Sequence, residues 1–240
     1  MRRRSLLAGM SALAALRRCD AAASPAAEPV DVLLVLALDG SGSLNQTRAH
    51  LQREGHAQAL ESARFVNAVC GGPCGRIAVA AFEWSSYASQ HPLLPWAVIE
   101  DAASARAAAS RLREAPRASP GYTSISGAID HARGLLLAAP HEGTRMVLDI
   151  SADGTNNDGR AVQAARDEAV ASGITINGLP ILELVGDLES YFADNVVGGP
   201  LSFSVAARDF ASFGAAVLRK LVAEVAGLPL RSDPHSSSAC

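Results

Sequence analysis

The sequence predicts an α/β protein: a doubly wound, mostly parallel central sheet of about six strands, with helices on both faces and one antiparallel edge strand. Three observations carry that expectation. Near-continuous apolar runs of strand length recur along the chain, beginning at residues 30–38, where only Asp31 interrupts. Longer segments with apolar residues near a 3.6-residue period lie between them. Neither an internal repeat nor a linker divides residues 30–228. Strands without polar alternation are buried on both faces, and alternation with helices means crossover connections in a parallel sheet.

The elements follow in order. Residues 30–38 form the first strand, ending at Asp39-Gly40. Residues 45–69 have helical spacing through Leu51, Ala59, Ala63, Val66 and Val69. Residues 77–82 are the second strand, and 93–99, broken by Pro95, an edge strand. Helices are expected over 101–114 and 125–138, a strand over 146–150, a helix over 161–171, and a strand over 174–179 closed by Pro180. A short helix over 188–195, a last strand over 201–205 and a last helix over 210–225 complete the domain.

Composition narrows the function. The chain has 240 residues, 49% hydrophobic and 19% charged, which is a folded rather than a disordered profile. Aromatic residues are only 5%, so aliphatic side chains and alanine must build the core. Lys220 is the single lysine, and no G-x-x-x-x-G-K-[ST] loop exists, so P-loop chemistry is excluded. A net charge of −3, with no basic run beyond the N-terminus, argues against nucleic acid as a partner.

Residues 1–23 read as a signal peptide: Arg2, Arg3 and Arg4, then a short apolar stretch, then Ala21-Ala22-Ala23. The stretch is too short to span a bilayer, so no transmembrane helix is expected in the mature chain. Arg3-Arg4-Ser5-Leu6-Leu7 is similar to a twin-arginine signal; the general secretory route is the alternative. Arg18 before Cys19 is a poor lipobox and argues against a lipid anchor. The expected location is periplasmic or secreted. Residues 24–29 read as a tether and 229–240 as a flexible tail. Cys70 and Cys74 bracket Gly71-Gly72-Pro73, a turn in which a small disulfide could form in an oxidising compartment; two free thiols are the alternative.

The chemistry gathers where strands end. Ligands of open parallel sheets sit beyond the carboxyl ends of the strands, at the point where strand order reverses. Asp39-Gly40-Ser41-Gly42-Ser43 follows the first strand, Gly121-Tyr122-Thr123-Ser124 precedes the 125–138 helix, and Ser151-Ala152-Asp153-Gly154 follows the 146–150 strand. Asp39, Ser41 and Ser43 are alternate residues of an extended turn and can point to one side. Hydroxyl and carboxylate oxygens suit a hard divalent cation, and Mg²⁺ takes about six of them at about 2.0–2.1 Å. A polar turn with Ser43 capping the next helix is the plainer reading of Asp39 to Ser43 alone.

D-x-S-x-S, a distant Thr and a distant Asp before Gly resemble the metal-ion-dependent adhesion site of von Willebrand factor type A domains, matched by Asp39, Ser41, Ser43, Thr123 and Asp153. The strand–helix order over 30–228 is similar to the whole family domain. Stretches such as Glu83-Trp84-Ser85, Asp153-Gly154-Thr155-Asn156-Asn157 and Gly173-Ile174-Thr175-Ile176-Asn177 resemble an uncharacterised bacterial branch, a domain of unknown function. The resemblance implies Ser41, Ser43 and Thr123 as hydroxyl ligands, Asp39 and Asp153 as direct or water-mediated ligands, and Mg²⁺ as the ion, with Mn²⁺ next and Ca²⁺ after it. It also implies an open coordination position that a partner protein's Asp or Glu fills.

Glu83 and Trp84 have two readings: an outer carboxylate with a partner surface, or structure beneath the 85–86 loop. Asn156 and Asn157 either shape the loop over the metal or serve a turn. The preferred function is an exported, metal-dependent interaction module rather than an enzyme. The alternatives are a hydrolase using the same ion to activate water, and an accessory domain with a vestigial site.

Overall fold

The computed structural model describes residues 28–118 and 120–228. The expected signal peptide, most of the tether, the C-terminal tail, Cys19 and Cys240 lie outside the described residues. Five strands form one sheet in the order β3-β2-β1-β4-β5. These are β1 (Pro29–Asp39), β2 (Ile77–Trp84), β3 (Gln90–Ile99), β4 (Glu142–Ala152) and β5 (Ile174–Pro180). β1 pairs in parallel with β2 and β4, and β4 with β5, while β3 runs antiparallel to β2 at the edge, as expected. The expected sixth strand at 201–205 runs beside β5 but makes only isolated bridges, such as Gly178 with Ser204. Leu201 there has a positive φ of 60°, which breaks the extended conformation a strand requires.

Seven α-helices cover the two faces. On one side lie α1 (Gln46–Glu61), α2 (Ala63–Cys70), α3 (Ala102–Glu114) and α7 (Phe213–Ala226); on the other lie α4 (Ile125–Leu137), α5 (Val162–Ala171) and α6 (Leu188–Tyr191). β1 shows why its run is unbroken. Leu34, Leu36 and Leu38 pack into the first core, and Leu33, Val35 and Ala37 into the second. Asp31, the acid within the apolar run, is buried at the strand's start, where its Oδ1 accepts the Cys74 amide at 2.9 Å and holds the 71–75 turn.

The expected 45–69 helix is two helices. Ser62 adopts an extended conformation (ψ 141°), and its hydroxyl caps α2 by accepting from the Phe65 amide at 3.2 Å. The 188–195 helix is one α turn continued as a π-helical segment over Phe192–Val196. α7 begins at Phe213 rather than 210. α1 approaches α7 closely because Gly55 has no side chain: a Cβ there would lie 2.8 Å from Phe213 Cδ1. Within that layer α7 buries Lys220 and Glu224 against Asp149 of β4 and Asn177 of β5. Cys70 and Cys74 are free thiols, Cys70 donating to the Glu100 carbonyl at 3.3 Å, so of the two readings the structure has the unbonded one. Among the described residues no helix is long and apolar enough to cross a membrane.

Candidate metal centre

The chain leaves β1 for β2 and β3 on one side, then crosses back to β4 and β5 on the other. The order therefore reverses between β1 and β4, and a crevice opens beyond their carboxyl ends. Asp39 ends β1 and Asp153 directly follows β4, so both acids sit at that crevice. Asp39, Ser41, Thr123 and Asp153 are buried, and Ser43 stands at the rim.

The structure brings Asp39, Ser41, Ser43 and Asp153 into one hydrogen-bonded chain. The Ser41 amide donates to Asp39 Oδ1 at 2.7 Å, and the Asp153 amide to Asp39 Oδ2 at 3.3 Å. Ser41 Oγ and Ser43 Oγ are 2.9 Å apart, and Ser43 Oγ donates to Asp153 Oδ1 at 2.6 Å. Thr123 lies beside the Asp153 loop, its Oγ1 3.8 Å from where a Cβ on Gly154 would stand, and its own loop is fixed to that of Ser41 and Ser43 by a 2.8 Å bond from the Gly42 amide to the Gly121 carbonyl. Two residues that the sequence reading does not single out hold this arrangement from behind. Gln52, buried on α1, donates to the Asp39 carbonyl at 2.7 Å and accepts from Ser151 Oγ at 2.9 Å. Arg53, on the same helix, pairs with Glu83 at 2.7 Å.

Glu83 is thus a brace. It also accepts the Ala118 amide at 2.9 Å, and it lies so close to Gly40 that a Cβ there would meet its Cγ at 2.6 Å. Glycine is required at that position of the motif. Trp84 is fully buried in the second core and presents no surface to a partner, which corrects that half of its reading. Asn157 fixes Thr123 on both sides: its Oδ1 accepts the Thr123 amide and its own amide donates to the Thr123 carbonyl, each at 2.8 Å. Asn156 Oδ1 accepts the Ser126 amide in the first turn of α4. Tyr122, beside Thr123, is 69% exposed at the rim.

Electrostatically, two buried acids stand against each other here. Burial, and then the charge of Asp153, pushes the Asp39 carboxyl up to about 7. Burial likewise raises Asp153, against the opposing hydrogen bond from Ser43. Asp153 Oδ2 is buried and accepts no hydrogen bond among the described residues. Among those residues no three His, Cys, Asp or Glu side chains converge on a point. Two carboxylates and three hydroxyls, with one carboxylate oxygen unused, nevertheless form a donor set that fits a hard divalent cation.

Solved structures similar to this one share the fold at low identity. Proximal thread matrix protein 1 from the mussel byssus has a TM-score of 0.62 at 15% identity, over 84% of this chain and 49% of that one. The same protein is also known with a zinc-occupied MIDAS motif, at a TM-score of 0.59 and 15% identity over 83% and 49% of the two chains. The vWF domain of the type V pili tip protein Mfa5 from Porphyromonas gingivalis has a TM-score of 0.58 at 11% identity, over 85% of this chain and 98% of that domain. The chain spans about half the length of the mussel protein it matches. No curated protein matches it in sequence. The profile of a family described as "Protein of unknown function (DUF1194)" matches residues 29–229. The chain belongs to that DUF1194 family, and its fold is that of a von Willebrand factor type A domain.

Proposed function

We propose that this protein is an exported interaction module that holds a divalent cation, Mg²⁺ before Mn²⁺ or Ca²⁺, and captures an Asp or Glu side chain of a protein partner. One observation carries the reading: two buried acids at the switch point, Asp39 and Asp153, make no ion pair among the described residues, the nearby Arg48 being paired with Glu183, and a carboxylate oxygen is left over. Asp39, Ser41, Ser43, Thr123 and Asp153 would hold the ion. When bound, the ion supplies a Lewis-acidic position for an incoming carboxylate oxygen.

The chain's own residues do the rest. Neutral hydroxyls from Ser41, Ser43 and Thr123 quench less charge than carboxylates would, which keeps the site attractive to an anion. Ser43 at the rim and Tyr122 beside it form the lip a partner would meet. Gln52, Arg53 and Glu83 keep the loops in place, so little ordering remains to be done on binding. The mussel matrix protein with zinc in its MIDAS motif and the pilus tip domain support the reading by analogy of fold. Residues 1–23, read as an export signal, support a periplasmic or secreted location.

Hydrolysis is the weaker reading. Of the two acids that could act as its base through water, Glu83 is engaged by Arg53 and the Ala118 amide, and Asp153 accepts from Ser43. The test is capture of acidic peptides on immobilised full-length protein with Mg²⁺ or chelator. Capture that needs both Mg²⁺ and a peptide carboxylate supports the module, whereas equal capture with chelator contradicts it.

A further inference from the structure

Below the metal centre, β4 and α7 enclose a second group of ionisable side chains. Lys220, the one lysine of the sequence, is fully buried. Its Nζ lies 2.7 Å from Asp149 Oδ2 and 2.5 Å from Glu224 Oε1. Glu224 Oε1 also accepts the Asn177 amide group at 2.9 Å, and Asn177 Oδ1 accepts the Phe203 amide at 2.9 Å. A second buried acid, Glu224, therefore attends a lysine that already faces a carboxylate.

As a set of ions this arrangement is poorly satisfied. Two acids face one lysine where water is excluded, and burial disfavours the charged form of the nearby His56. Neither oxygen of Asp149 nor Glu224 Oε2 takes a hydrogen bond among the described residues. The lysine approaches Asp149 closely but outside hydrogen-bond geometry. Buried ions with unfilled lone pairs are costly, and the cost disappears if the groups become neutral. A lysine amine held against a carboxyl group is also a nucleophile held against its electrophile, in a place where water cannot reverse the condensation.

We infer that Lys220 and Asp149 join in an intramolecular isopeptide bond, with Glu224 as the proton carrier. The ammonium first passes a proton to the Asp149 carboxylate, giving a neutral amine and a carboxylic acid. Lys220 Nζ then adds to Asp149 Cγ. Neutral Glu224 donates its proton to the departing hydroxyl and takes one from the nitrogen. The Cγ–N bond forms, a Cγ–O bond breaks, one water leaves, and nothing is oxidised or reduced. Burial pushes Glu224 up to about 8, which keeps it in the protonated form the transfer uses. The product is a neutral amide beside a neutral acid, and it ties α7 to the strand that runs on into Asp153.

The test is mass spectrometry of the full-length protein after unfolding, followed by peptide mapping with proteases that cut on both sides of each residue. The expected result is a branched peptide containing Asp149 and Lys220, lighter than its two parts by one water. Peptide mapping is needed because Asp39-Gly40 and Asp153-Gly154 can each lose a water as a cyclic imide. Asp149 and Lys220 recovered in separate linear peptides of full mass would overturn the inference. Loss of ammonia with a link to Asn177 would overturn the choice of Asp149. Glu224→Gln keeps Lys220 and Asp149 in place and should yield only linear peptides; a branched peptide in that variant would overturn the role of Glu224.

Discussion

Asp149 and Asp153 are buried acids on one strand path, and each has a second acid beside it: Glu224 for Asp149, Asp39 for Asp153. The first pair has a partner from the chain itself, the nitrogen of Lys220, 2.7 Å from Asp149 and 2.5 Å from Glu224. The second pair has hydroxyls and backbone amides but no cationic group in contact. The energetic problem is the same in both places, since burial disfavours two negative charges in one small space. The answers differ. One pair is completed within the fold and belongs to the scaffold between β4 and α7. The other is left for something that arrives from solution, at the end of the sheet where the fold leaves a crevice.

Removing the internal partner breaks this comparison most strongly. Lys220→Met leaves Asp149 buried with neither a counter-charge nor a bond to Lys220 and should cost about 3–5 kcal/mol. Denaturant unfolding measures it, and a loss below about 1 kcal/mol would mean that the cluster is wetter than its burial indicates. The corresponding change at the rim should act in the other direction. Asp39→Asn removes a buried charge that stands against Asp153 and keeps an acceptor for the Ser41 amide, so the metal-free protein should be as stable as the parent or more so.

Added cation should distinguish the pairs next. Mg²⁺ at about ten times its dissociation constant should stabilise the parent by about 1.4 kcal/mol, a shift of a few degrees in a thermal melt. Asp39→Asn should lose that shift.

The pH dependence sharpens the same contrast. Asp39 titrates at about 7 in the folded, metal-free protein, against 3.8 as its ordinary value. The folded state therefore holds a proton over that interval that the unfolded chain has released. This group's contribution to stability is complete below about pH 4 and is lost as pH rises towards 7. A cation needs the carboxylate, so apparent Mg²⁺ affinity should weaken by up to about tenfold per pH unit below pH 7. Titration at several pH values measures it; a flat profile would place Asp39 outside the ion's first contacts.

The smallest effect belongs to the surface. Arg113 bridges Glu54 and Glu61 at 2.9 and 2.7 Å on the outer faces of α1 and α3. Arg113→Ala should cost about 1 kcal/mol or less, because partly exposed pairs are screened by water.

The five candidate residues stand out in the sequence because each lies at a strand or helix boundary, where oxygen side chains and glycine interrupt apolar runs. The parallel sheet was legible because β1, β2, β4 and β5 are apolar on both faces. The supports were less so. Gln52 and Arg53 look like ordinary polar residues of an amphipathic helix, and only the packing of α1 against the sheet turns them inward. Lys220 and Glu224 on α7 have the spacing of an exposed i, i+4 pair, and their burial depends on Asp149 and Asn177 from distant strands. The break at Ser62 was hidden because α1 and α2 continue one another's periodicity, and a serine costs little in a helix. Residues 201–205 have strand composition, but the chain reaches β5 already turning at Leu201.

The most direct test of the central claim is calorimetric titration of Mg²⁺ into the full-length protein above pH 7, with Asp39→Asn and Ser41→Ala alongside. Saturable binding of one ion by the parent, lost in Asp39→Asn and weakened in Ser41→Ala, is the predicted result. No saturable binding, or equal binding by all three proteins, would contradict a metal centre at the switch point.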